Sequence, residues 1–156
     1  MKKRLWSGVV IIASLSVAAL GVAAFVGAEA AQRPAGSAGG GAAGNVQRGQ
    51  YIVESVAMCG ECHTPRDSQG QLDNARWLEG APMWFTPVIP HPDWAFRAPA
   101  LAGLPSFTDA DMSMILEKGL QPTGRPIRPP MHVFHMTHED ATAVIAYLRS
   151  LPQPTN

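Results

Sequence analysis

Cysteine is nearly absent from this chain, and so is any excess of charge. Only two cysteines occur in 156 residues, three positions apart, which excludes a structural disulfide framework. Twelve Lys/Arg balance twelve Asp/Glu, and the tight basic group Lys2, Lys3 and Arg4 stands at the extreme N-terminus. A nucleic-acid interface needs a clustered basic face, so nucleic acid is not expected as a partner. No segment alternates apolar and polar residues well enough to read as a strand. No nucleophile beside a base and no acid–base pair can be picked out, which argues against catalysis by side chains.

Proline and glycine, by contrast, are plentiful. Ten of the fourteen prolines lie between Pro82 and Pro130, where so many fixed φ angles and missing donors make long helices and central strands unlikely. That stretch reads as ordered loop wrapped on something. With the N-terminal region set aside, about 110 residues remain, the size of one domain. So much irregular chain in so small a domain calls for an extra source of apolar contact, and a large buried cofactor would supply it.

Leu5 to Ala28 is an uncharged stretch of 24 residues, long enough to span a hydrocarbon core. Residues 1–30 therefore read as a membrane anchor, with the basic cluster kept inside and the remainder exported. Cleavage as a signal peptide is the alternative, since Ala28-Glu29-Ala30 fits the small-x-small pattern, although signal cores are usually only about 7–15 residues. Either way the domain is expected outside the cytoplasm. Residues 31–44 are mostly Ala and Gly and read as a flexible linker with a reach of about 20 Å.

The domain, residues 45–156, shows three helical signals. Asn45 can cap a helix with Val46, Gly49, Val53 and Val56 on one side. Thr108 and Asp111 can form a capping box before Met112, Ile115 and Leu116, with a stop at Gly119. Thr137 and Asp140 repeat the arrangement before Ala141, Val144, Ile145 and Leu148, and Pro152 marks the end. The fold class is all-α.

Both cysteines fall inside Cys59-Gly60-Glu61-Cys62-His63, and Cys-x-x-Cys-His is the pattern of c-type haem attachment. If the motif continues the first helix, Cys59, Cys62 and His63 lie at i, i+3 and i+4 and face one way. Two thiols can then add to the vinyl groups of one porphyrin while His63 reaches its iron. A zinc site would need two more ligands, and a thioredoxin-like pair would need strand–helix alternation. For the second axial position Met131 is the best candidate, because Pro129 and Pro130 stiffen its approach; Met136, His132 and His135 compete. His/Met ligation raises the reduction potential and favours electron transfer. Trp77, Trp84, Phe85, Trp94 and Phe96 can line the pocket, and Arg97, Arg125 and Arg128 can neutralise haem propionates.

On these residues the chain resembles a class I monohaem cytochrome c, and most of all the cytochrome modules of bacterial periplasmic alcohol and aldehyde dehydrogenases. The shared features are Cys59 to Pro65, Ala98-Pro99-Ala100-Leu101, Gly124-Arg125-Pro126 leading to Pro129-Pro130-Met131, and Ala146 to Pro152; His132 departs from the pattern, since relatives often have another proline there. The resemblance implies three main helices and long loops around one covalent haem c, with the first and last helices crossing near it and Met131 as distal ligand. The expected function is single-electron transfer, Fe(II)/Fe(III), with no substrate transformed. Its expected partners are a redox donor and acceptor, such as a periplasmic dehydrogenase, a quinol-oxidising complex or a terminal oxidase, together with the membrane. The alternatives are a dedicated electron-accepting subunit of a dehydrogenase complex, or a haem enzyme or gas sensor with an open distal site.

Overall fold

The computed structural model describes residues 42–155; the expected anchor or signal segment and all but the end of the expected linker lie outside the described residues. Among the described residues no helix is long and apolar enough to cross a membrane.

Helix α1 runs from Ala42 to Tyr51 and passes into a π-helical turn, Ile52–Val56. Its start differs from the sequence expectation: residues 42–44 are helical, and Asn45 lies inside the helix instead of capping it. The π turn is closed by the Ala57 N–H donating to the Ile52 carbonyl at 2.7 Å. This wider turn shifts the register of the apolar face. Ile52 and Val53 are buried, whereas Val56, expected on the same side, is exposed. Met58 then takes a left-handed φ of 47°, so the chain leaves the helix, and the motif forms its own short helix α2, Gly60–His63.

The long loop contains a 3-10 turn, Asn74–Arg76, and two short strands, β1 (Ala81–Pro82) and β2 (Arg97–Ala98). They pair antiparallel, Ala81 opposite Ala98 and Pro82 opposite Arg97, a feature too brief for any sequence alternation to announce. Helix α3 spans Asp109–Lys118 and begins with both halves of the Thr108–Asp111 capping box; Gly119, at φ 66°, closes it as expected. Helix α4 spans His138–Ser150. Thr137 accepts from the Asp140 N–H at 3.2 Å, but the Asp140 carboxylate turns to Arg48 of α1, at 3.0 and 3.2 Å.

Helices α1 and α4 cross at Gly49. A Cβ built there would stand 1.9 Å from the Ala143 carbonyl oxygen, so only glycine allows the two backbones to approach so closely. Around this crossing Val53, Val144 and Leu148 are almost wholly buried, joined by Leu116 of α3 and by Leu78 and Leu104 of the loops. Each such side chain contributes roughly 1.5–3 kcal/mol by leaving water. The Tyr147 hydroxyl donates to Glu54 at 2.7 Å, tying α4 to the π turn just ahead of the motif.

Candidate functional site

The Cys59–His63 segment makes one closed turn. The His63 and Thr64 N–H groups donate to the Cys59 and Gly60 carbonyls at 3.0 and 3.1 Å, and the Gly80 N–H donates to the His63 carbonyl at 2.8 Å. Thr64 is buried and its hydroxyl accepts the Leu78 N–H at 3.0 Å. Gly60 lies under the Trp77 ring, 2.2 Å from where a Cβ would stand. The turn is thus fixed from below by the 64–80 loop.

Above it lies a cavity of about 310 Å³ whose lining includes Cys59, Cys62, His63, Met131 and His132. Four of the five are the residues singled out for attachment and axial ligation, and His132 is one of the competitors. Neither cysteine is in a disulfide. Burial pushes the Cys59 thiol up to about 11 and raises Cys62 as well, so both stay protonated at neutral pH. His63 is buried, and its Nδ1 lies 2.8 Å from the Pro99 carbonyl oxygen. That carbonyl can only accept, which makes Nδ1 the protonated nitrogen and leaves the lone pair on Nε2. Burial lowers the His63 pKa, and the Pro99 contact opposes it less strongly; the ring is therefore a neutral base.

Met131 reaches the cavity on a segment held at both ends. The Pro129 carbonyl accepts the Ala95 N–H at 2.7 Å, and the Met136 N–H donates to the Leu116 carbonyl at 3.1 Å. Arg128 donates to the Asp93 and Trp94 carbonyls at 3.0 and 2.8 Å.

Other expectations fare differently. Arg97 and Arg128 line the cavity, whereas Arg125 is exposed beside Asp93 at 3.9 Å. None of Trp77, Trp84, Phe85, Trp94 and Phe96 lines it. Trp84, Phe85 and Trp94 instead stack edge-on upon one another, at 4.9 and 5.6 Å between centroids. Met136 and His135 are also outside the lining. Sequence reasoning missed Met58, Met83 and Met112, three further thioethers in the lining, and Phe107 and Phe134, its aromatic members. Only Met112 carried a signal, as an apolar position on α3. A larger hollow of about 460 Å³ lies between α3 and α4, but it contains none of the cysteines, His63 or Met131, so the site chemistry lies elsewhere.

The residues fit a covalently held haem. Two thiols able to add to porphyrin vinyl groups share one largely apolar cavity with an imidazole and a thioether able to ligate iron, the set that a covalent haem needs. In addition the Trp94 indole N–H is buried without a hydrogen-bond partner among the described residues, and Trp94 precedes the cavity residues Ala95 and Arg97. The two guanidinium groups of the lining, Arg97 and Arg128, suit carboxylates.

Comparison with known proteins agrees. The family model for cytochrome c matches residues 46–152. A diheme cytochrome c-type protein of Cereibacter sphaeroides is 30% identical over 112 residues, covering 68% of this chain and 35% of that protein. The fructose dehydrogenase cytochrome subunit of Gluconobacter japonicus is 32% identical over 112 residues, 67% of this chain and 22% of the relative. The alcohol dehydrogenase (quinone) cytochrome c subunit of Gluconobacter oxydans is 29% identical over 121 residues, 69% and 24%. The chain spans between about a fifth and a third of the length of these relatives.

Proposed function

Because the chain belongs to the cytochrome c family, we propose that it is a monohaem electron carrier in which Cys59 and Cys62 hold the porphyrin, His63 is the proximal ligand and Met131 the distal one. Electron transfer through covalent haem c is the function of the family domain; the assignment of these four residues is supported by their meeting in one cavity. That meeting is the observation that carries the reading, because Met131 is 68 residues from His63 in the chain and nothing in local structure would bring them together.

Haem bound there supplies a one-electron couple, its iron alternating between Fe(II) and Fe(III). The protein's part is positional. Pro99 fixes the His63 tautomer and ring orientation, which keeps Nε2 unprotonated for the metal. The lining is largely apolar, and Arg97 and Arg128 put positive charge on it for propionates to pair with. Because the Met131 segment is pinned by backbone hydrogen bonds, little rearrangement accompanies a change of oxidation state. The domain works on the periplasmic side of the membrane, tethered by residues 5–28 or released from them by cleavage.

A second reading, an electron-accepting subunit of a dehydrogenase complex, draws on the relatives, several of which are dehydrogenase cytochrome subunits. Purification under mild detergent separates the two: a stoichiometric dehydrogenase travelling with the chain favours the subunit. The primary test is an optical spectrum of the whole chain, expressed with a working haem-ligation apparatus, in both oxidation states and into the near-infrared. We expect a red, low-spin protein whose haem survives denaturing extraction and whose ferric form shows the methionine-to-iron charge-transfer band. A colourless product overturns the proposal, and a high-spin iron that binds carbon monoxide readily would point to an open distal site.

A further inference from the structure

We infer that His132 is a reserve axial ligand, able to take the haem iron when the Met131 thioether is withdrawn. The inference rests on the reading of Met131 as distal ligand and goes beyond it. His132 and Met131 are neighbours on one segment, and both line the cavity that contains His63. The histidines differ in how they are held. His63 is fixed by the Pro99 carbonyl, His91 accepts the Asp93 N–H, and His138 pairs with Glu117. His132 is exposed and stacks at a tilt on Phe134, 4.1 Å between centroids, a weak contact that a metal–nitrogen bond readily outweighs.

The three other cavity methionines are poorer substitutes. Met112 is buried in the core on α3. Met83 is held by its N–H on the Phe96 carbonyl. Met58 adjoins Cys59, on the turn that carries His63. Imidazole is moreover the commoner and harder ligand, well suited to ferric iron. The exchange replaces one dative bond by another; no electron moves and no covalent bond to carbon changes. Two imidazoles keep the iron six-coordinate and low-spin, so the open position that would bind small gaseous ligands never forms, while loss of the thioether lowers the reduction potential.

The test compares the full chain with Met131→Leu, His132→Ala and the double variant, all haem-loaded, by ferric absorption and electron paramagnetic resonance and by carbon monoxide binding to the ferrous form. Leucine conserves the volume that Met131 fills; Met131→Ala serves as a second route should that variant fold poorly. We expect Met131→Leu to lose the near-infrared band yet stay low-spin, and the added His132→Ala to convert it to a high-spin form that binds carbon monoxide. A high-spin Met131→Leu single variant overturns the inference, as does a double variant that stays low-spin. A single variant that keeps the near-infrared band overturns the ligand reading beneath it.

Discussion

At the scale of single residues, Thr64 shows how much of the site rests on one hydroxyl. It follows His63, is 1% exposed, and accepts the N–H of Leu78, which is itself fully buried at a left-handed φ of 58°. Removing the acceptor leaves a buried N–H unpaired, a loss of about 1–3 kcal/mol. Thr64→Val, nearly the same shape, should therefore lower the unfolding free energy by that amount, while Thr64→Ser should recover most of it. Denaturant melts of the two variants decide the matter, and equal stability would remove the hydroxyl from the account. That Cys59, Cys62 and His63 would meet at one cavity was legible in the sequence because their spacing is local. Pro99 as the partner of His63 was not: the contact joins residues 36 apart through a carbonyl, and a main-chain oxygen leaves no mark on residue type. The same holds for Met58 and Met83, whose place in the lining depends on loop path alone.

At the scale of elements, the full box of α3 and the Thr137 half of the α4 cap were legible because each is settled within four residues, whereas the Asp140 carboxylate goes to Arg48 instead. Asp111 is held below its ordinary 3.8, first by the Thr108 hydroxyl and then by the Thr108 backbone; Glu117 is likewise depressed, by the hydroxyl of Ser113 and by His138. A depressed carboxyl in the folded state means that its stabilisation is complete above the unfolded value and is lost as pH falls through the lower folded one. The melting temperature should thus be level toward mildly acidic pH and fall below about pH 4. In Asp111→Asn the neutral plateau should drop and the acid slope should flatten; a profile parallel to the parent would show that the box carries no pH dependence. The helix crossing makes a sharper claim. Any side chain at Gly49 meets the Ala143 backbone, so Gly49→Val should cost about 1–3 kcal/mol or more by overpacking and should show as a lower thermal midpoint. A stable variant would mean that α1 and α4 can separate freely. What the sequence concealed at this scale was tertiary in origin. The π turn rotates Val56 outward, and the aromatics of the long loop satisfy one another instead of the cavity, because Trp84, Phe85 and Trp94 are close enough in sequence to stack locally.

At the scale of the molecule, the proline-rich composition pointed to a fold short of its own apolar contacts, and the cavity is where that shortage falls. Its walls come from the motif turn, the residues around β2, helix α3, the Met131 segment and helix α4, so nearly every element loses packing if nothing fills it. At about 24 cal/mol per Å³ of residual cavity, 310 Å³ corresponds to about 7 kcal/mol, an upper figure since the mouth admits water. A domain of this size has only about 5–15 kcal/mol in total. Helices α1 and α4 meet mainly outside the cavity, at Gly49, Ala143 and Tyr147, so helix content should outlast side-chain order. The haem-free protein, obtained as the Cys59→Ala/Cys62→Ala double variant after extraction of any non-covalently held haem, should keep much of its far-ultraviolet dichroism, lose its near-ultraviolet signal, bind a hydrophobic dye and melt without a sharp transition. Were it to unfold as cooperatively and at the same temperature as the loaded chain, the loops would have to find a core of their own, and the dependence of this fold on its cofactor would be refuted.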